Sequence, residues 1–182
     1  MTHMNVTLPN SSENRELAQL LDDYRRAVAS RYQSCLPTDL GRMLGGGMHF
    51  VTRKYDGELW FLVTDPSEPY LVAANGRVAR GGAIVDAATS LPPGLVLAGE
   101  LHVPRADGRE RVGDVARAIA DGGADLALAV FDVVQTPDTS WREMPITDRM
   151  DLLSTIAPQG TRIVPVRVLQ VSTAAEVEAA YR

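Results

Sequence analysis

The sequence predicts an α+β domain built on antiparallel sheet. Three observations lead there. Segments with the β-branched and aromatic content of strands outnumber the amphipathic ones, and the hairpin dipeptides Asp56-Gly57 and Asn75-Gly76 join several of them. The strict strand–helix alternation of a dinucleotide fold is missing. At 182 residues, 45% of them hydrophobic, the chain is long enough for one domain with a core of its own.

Asn10 and Glu13 read as a helix start, and Leu17, Leu20, Leu21, Tyr24 and Val28 recur on one helical face. They predict an amphipathic helix over 13–32, whose single apolar stripe serves packing on this domain or on a partner equally. Pro37, Gly41 and Gly45-Gly46-Gly47 end it. The glycine run lacks the Lys-Ser/Thr of a phosphate loop and reads as a flexible connection. Residues 48–53 and 58–64 read as strands reversed by Asp56-Gly57, which sets Lys54 near a strand end facing a cleft. A second turn over 65–68, a strand over 70–74 and the Asn75-Gly76 reversal continue a meander. A weak helix over 83–90 stops at Pro92-Pro93. A strand over 95–103, a helix over 113–120, an apolar strand over 126–134, a helix over 147–156 and a strand over 162–171 follow. Thr173 and Glu176 form a capping box for a last helix that stops at Arg182 after little more than two turns. The expected organisation is an N-terminal helical segment, 1–36, and a domain over 37–182 that is incomplete at its C-terminus.

Composition narrows the function. No apolar run is long enough for a membrane span and Met1 to Ser12 lacks the order of a signal peptide, so a cytoplasmic protein is expected. The single cysteine, Cys35, has no partner for a disulfide and reads as a small apolar residue; three scattered histidines make no zinc set. A net charge of −5 argues against strong nucleic-acid binding by this segment alone, because such binding draws its affinity from cations on phosphates. Lys54 is the only lysine. Arginine serves salt bridges as well, but only lysine supplies an amine that can lose its proton and attack an electrophile. The competing reading is chance survival in a lysine-poor composition.

Order and spacing then become informative. Lys54-Tyr55-Asp56-Gly57 resembles the Lys-x-Asp-Gly motif of the covalent nucleotidyltransferases, which include ATP-dependent DNA ligases, RNA ligases and mRNA capping enzymes. Ala98-Gly99-Glu100 resembles their Asp-Gly-Glu motif, and Phe131-Asp132 the aromatic-Asp motif that follows. Residues 144–153 resemble the Pro-Leu-x-Glu-Arg-x-x-Leu-Leu segment of DNA ligases, and 172–181 the helix before their fourth motif. The resemblance runs from about Met43 to the end, in order.

It implies an ATP-grasp-like adenylation domain in which the Lys54 amine takes AMP from ATP, for transfer to a nucleic-acid 5′-phosphate and sealing of a nick by the neighbouring 3′-hydroxyl, as in DNA repair. By the same resemblance Glu100 holds the ribose hydroxyl or a Mg2+ ion and Phe131 stacks on adenine. Asp56 and Gly57 shape the turn that aims Lys54, and Thr52 occupies the place of a glutamate that reads the adenine amino group. Arg53 is placed to lower the lysine pKa from its ordinary value of about 10.4. ATP and nicked duplex are the implied partners, the duplex through further domains; the sequence is silent on oligomeric state.

Each residue also has a plainer reading: Glu100 as a solvated strand carboxylate, Phe131 as core, Asp132 as a turn cap, and His49 and His102 as surface or strand-edge residues. Departures point the same way. Leu59 stands where ligases carry arginine, Ala98 where they carry Asp, and Ala73-Ala74-Asn75-Gly76 where they carry Ser-Arg-x-Gly, with Arg77 adjacent. The Glu-Gly-x-x-x-Lys and Lys-x-Lys motifs are absent. The alternatives are an RNA ligase, favoured by Thr52 and Leu59, and a degenerate nucleotide-binding or partner-binding module without turnover.

Overall fold

The computed structural model describes residues 3–7, 15–31, 33–105, 111–156 and 162–180; the expected helix start at Asn10 and Glu13 lies outside them. Nine strands are present among the described residues: β1 (Asn5–Thr7), β2 (His49–Thr52), β3 (Glu58–Val63), β4 (Tyr70–Ala73), β5 (Val78–Arg80), β6 (Val96–His102), β7 (Ala127–Gln135), β8 (Ile163–Pro165) and β9 (Val168–Val171). The α-helices are α1 (Arg15–Ala27), α2 (Leu40–Met43), α3 (Gly82–Ala88), α4 (Val112–Ala120), α5 (Ile146–Thr155) and α6 (Ala174–Ala180). Seven strands form one sheet in the order β1-β5-β4-β3-β6-β7-β8, and β2 pairs with β9 in a second, two-stranded sheet. Every pairing is antiparallel except β7 with β8, so the α+β, antiparallel-sheet expectation holds.

The period-2 alternation of β3 and β6 decides the layers. Trp60, Leu62, Leu97 and Leu101 face a core shared with Ile84 of α3, Val115 of α4 and Leu153 of α5. Phe61, Val63, Val96 and Ala98 face a second core closed by Leu21 and Tyr24 of α1. Tyr24 is fully buried, with its ring edge-on to Phe61 and Trp141 at 5.9 and 5.7 Å between centroids. Burying a side chain of this size contributes roughly 1.5–3 kcal/mol. The apolar stripe of the first helix therefore packs on this sheet.

Two expectations are overturned. Residues 48–53 and 58–64 are not a hairpin: β2 pairs with β9, whereas β3 pairs with β4 and β6. Gly57 has no positive φ, as a type I′ turn would need, while Gly76, in the expected Asn75-Gly76 reversal, has φ 86°. The strand expected over 162–171 divides: β8 runs beside β7 and ends at Pro165, and β9 joins the other sheet. Proline has no N–H to continue the ladder. The three-residue edge strand β1 was too short to read from the sequence. Among the described residues no helix is long and apolar enough to cross a membrane.

The Thr173–Glu176 capping box is formed. Glu176 Oε2 accepts from the N–H groups of Ser172 and Thr173 at 2.7 and 3.1 Å, and Thr173 Oγ1 accepts from Glu176 N at 3.2 Å. Those donors hold the Glu176 carboxyl below its usual range. Cys35 is exposed rather than tucked into apolar surroundings.

Candidate functional site

The segment between β2 and β3 carries the chain from one sheet to the other, and it is fastened by contacts that alternate along it. Arg53 places its guanidinium 4.7 Å from the centre of the Tyr55 ring, and Tyr55 lies 4.8 Å from the imidazole of His102 at the end of β6. His102 is 5% exposed, which corrects the expectation of a surface histidine: Tyr55 covers it. Lys54 and Asp56 point the other way and pair with each other, Nζ to Oδ1, with side chains 85% and 62% exposed. The odd positions anchor the loop and the even positions present it.

Gly57 shows why this loop needs glycine. A Cβ there would stand 2.1 Å from the carbonyl oxygen of Leu101 and 3.1 Å from Cγ of Glu100. The requirement is close approach of two backbones, not an unusual φ. In that position Gly57 N–H donates to Glu100 Oε1 at 3.1 Å. β3 then continues beside β6 with Leu59 opposite Glu100. Burial pushes the Glu100 carboxyl above its usual range; the Gly57 N–H and the Lys54 charge oppose the shift, and the carboxylates of Asp56 and Glu58 add to it.

Lys54, Asp56, Gly57 and Glu100 are thus brought together. Thr52 is the exposed last residue of β2, opposite Val168, and with Arg53 it flanks the cluster. Phe131 is half-buried on the adjacent strand, β7. Gly99 pairs with Val130 and Ala98 with Asp132, so Phe131 is the extra residue of a β-bulge, a device that re-aims side chains beside sites.

Asp132 is not a turn cap. It is 4% exposed, accepts the Tyr24 hydroxyl at 2.7 Å and the Val133 N–H at 2.9 Å, and faces Arg149 Nε at 3.4 Å. Burial raises its carboxyl above the usual range against the pull of those donors, the Tyr24 bond first. Arg149 is 7% exposed, and its Nε and Nη1 have no hydrogen-bond partner among the described residues. Sequence reading also missed Glu58, which accepts from Arg77 Nη2 at 2.8 Å and from Trp60 Nε1 at 3.2 Å, with Arg77 stacked over the Trp60 ring. Arg77's place beside Asn75-Gly76 was the available signal.

Among the described residues no three His, Cys, Asp or Glu side chains converge as metal ligands. What the site offers is one half-buried carboxylate, Glu100, whose Oε1 is already engaged by Gly57. That donor set fits Mg2+, which takes one or two carboxylates with substrate phosphates and water rather than a protein cage. A hollow lined by Glu16, Leu17, Val63, Thr64, Tyr70 and Leu95 lies at the Val63 end of β3, opposite the Glu58 end where Lys54 sits.

No protein-family model matches the sequence, and no curated protein matches it. Among solved structures, mycobacterial DNA ligase D complexed with ATP and MES superposes with a TM-score of 0.50 at 20% identity, over 73% of this chain and 44% of that one. A chain named Pmar-Lig_Pre superposes with a TM-score of 0.56 at 15% identity, over 83% of this chain and 40% of that one. The protein has the fold of part of these chains, helices packed on a mainly antiparallel sheet, and spans less than half the length of either.

Proposed function

We propose that this chain is the nucleotide-binding part of an ATP-dependent DNA ligase in which Lys54 accepts AMP. The observation that carries the reading is the cluster itself: the sole lysine, held by Asp56, on a loop tied through Gly57 N–H to the Glu100 carboxylate. An exposed lysine on an arbitrary loop needs no glycine wedged against a neighbouring strand and no half-buried carboxylate beneath it.

In this reading the deprotonated Lys54 amine forms a bond to the α-phosphorus of ATP. The bond from that phosphorus to its bridging oxygen breaks, pyrophosphate leaves with the electron pair, and the amine's remaining extra proton passes to solvent. Asp56 orients Nζ, and Glu100 receives the ribose hydroxyl or would hold Mg2+. When bound, Mg2+ supplies charge neutralisation for the phosphates. Phe131 stacks on adenine, while Thr52 and Arg53 border the nucleotide. AMP then passes to a 5′-phosphate and a 3′-hydroxyl displaces it, sealing a nick in duplex DNA with the help of further domains. Sealing nicks in this way is the activity of DNA repair, which is the role this reading gives the chain.

One specific observation favours a rival, a binding module without turnover: Ala98, where the resembled motif has Asp, is fully buried under the second core and offers no group to a ligand. Leu59 and Thr52 favour RNA over DNA as the nicked substrate.

Intact-protein mass spectrometry after incubation with ATP and Mg2+, beside Lys54→Ala, tests the reading. An AMP adduct mapped to Lys54 and absent from the variant supports it. If no adduct forms on this chain or on a longer chain carrying the downstream motifs, the binding module is the better account.

A further inference from the structure

Three residues distant in sequence meet under the bulge of β7. Tyr24 of α1 and Arg149 of α5 converge on Asp132, one residue beyond Phe131. Tyr24 and Asp132 are 108 positions apart. All three are at least nine-tenths buried, and a buried carboxylate with so few donors holds its position closely, because each alternative leaves charge unsolvated. The bulge leaves Phe131 outside the regular ladder, between the Gly99–Val130 and Ala98–Asp132 pairs. Its placement therefore depends on what pins Asp132. Phe131 packs against both cores, the second of them closed by α1, so a shift at Asp132 is passed to its ring.

We propose that Tyr24 is a positioning residue for the nucleotide site: through Asp132 it sets the aim of Phe131, and α1 thereby tunes affinity for the adenine nucleotide. The proposal rests on the nucleotide-site reading above. The Tyr24 hydroxyl donates to Asp132, and it is through that carboxylate that Tyr24 reaches the Phe131 bulge. A second tether of α1, Asp23 to Arg142 Nη2 at 2.6 Å, docks the same helix without reaching Asp132.

The chain has three phenylalanines; placing 4-fluorophenylalanine at position 131 alone, or at position 50 alone as a control, through a reassigned stop codon gives one assigned 19F signal and leaves residue 24 unlabelled in every variant. In the unaltered chain, ATP with Mg2+ should move the Phe131 signal and leave the Phe50 signal on β2; no movement would sink the nucleotide-site reading, whatever Tyr24 does. Tyr24→Phe keeps the ring packed on Phe61 and Trp141 and removes only the hydroxyl. It should displace the Phe131 signal in the nucleotide-free protein and weaken ATP binding roughly three- to tenfold, the scale of one lost hydrogen bond. It should leave the rate of adduct formation at saturating ATP unchanged. Asp23→Ala should change neither signal nor affinity. An unmoved Phe131 signal in Tyr24→Phe, or an equal effect from Asp23→Ala, overturns the proposal, because the first denies the lever and the second reduces it to helix docking. If Tyr24→Phe does not fold on its own, the same measurements are made in trimethylamine N-oxide, which strengthens burial, with the same result expected and the same results overturning the proposal.

Discussion

Gly57 N–H donates to Glu100 Oε1 at 3.1 Å while the Gly57 α-carbon lies so near the Leu101 carbonyl that any side chain would collide with it. One glycine thus fixes both the approach of β3 to β6 and the position of the carboxylate beneath Lys54.

Gly57→Ala should therefore act on stability and on the site together. A Cβ 2.1 Å from a backbone oxygen cannot be relieved by a rotamer change, so the strands must part. Overpacking of this kind costs about 1–3 kcal/mol, seen as a lower urea midpoint at unchanged slope. The Lys54 adduct should fall more steeply than stability does, since the Glu100 bond goes with the wedge.

Lys54→Arg should leave the fold alone. The side chain is 85% exposed and its partner Asp56 is 62% exposed, and exposed pairs of this kind are worth about 0–1 kcal/mol. Thermal unfolding should be unchanged within error while the AMP adduct disappears, because a guanidinium keeps its charge at the site but is no nucleophile at neutral pH.

The Glu100 carboxyl, raised by burial, predicts a pH dependence of definite sign. A folded-state pKa above the unfolded value near 4.5 means the folded protein holds the proton more tightly. Ionising the group then costs stability as pH rises from about that value through the raised one. Glu100→Gln should accordingly be more stable than the unaltered chain at pH 7, with the gap closing below pH ~4.5. Melting curves at both pH values read this directly, and adduct formation should be lost throughout.

Asp132→Ala should be the most destabilising of these substitutions. It leaves the Arg149 guanidinium buried with no counter-charge, a change that costs about 3–5 kcal/mol when one partner of a buried pair is removed. Arg149→Met on top of it should restore much of the loss. A double-mutant cycle in urea that shows simple additivity would mean the pair at 3.4 Å carries no coupling.

These residues also mark how far the sequence could be read. The expected helices and strands over 83–156 lie within a residue or two of α3 to α5, β6 and β7, because their apolar periodicity and Pro92-Pro93 are local signals. The capping box is local too, and it formed. Asp56-Gly57 misled because a glycine needed for close approach looks the same in a sequence as one needed for a turn. Pro165 marked the break in 162–171, but which sheet each half would join depends on β7 and β2, far away in the chain. Lys54, Gly57 and Glu100 were legible as an ordered motif. The Tyr24–Asp132–Arg149 network was not, since no periodicity links α1 to β7, and His102 was misplaced because its cover, Tyr55, comes from another sheet's loop.

The pairing of β2 with β9 has a kinetic consequence. His49 lies opposite Val171, so this small sheet forms only when about two thirds of the chain has been drawn into a loop, after the local hairpins β3–β4 and β4–β5 can already have closed. Two strands alone are marginal in water, and closure of so long a loop must be repaid by contacts made earlier. Amides of β2 and β9 should therefore exchange with solvent well before those of β3 and β6. The loop bearing Lys54 leaves directly from β2, so the residue proposed to take AMP hangs from a sheet that closes late and should open early.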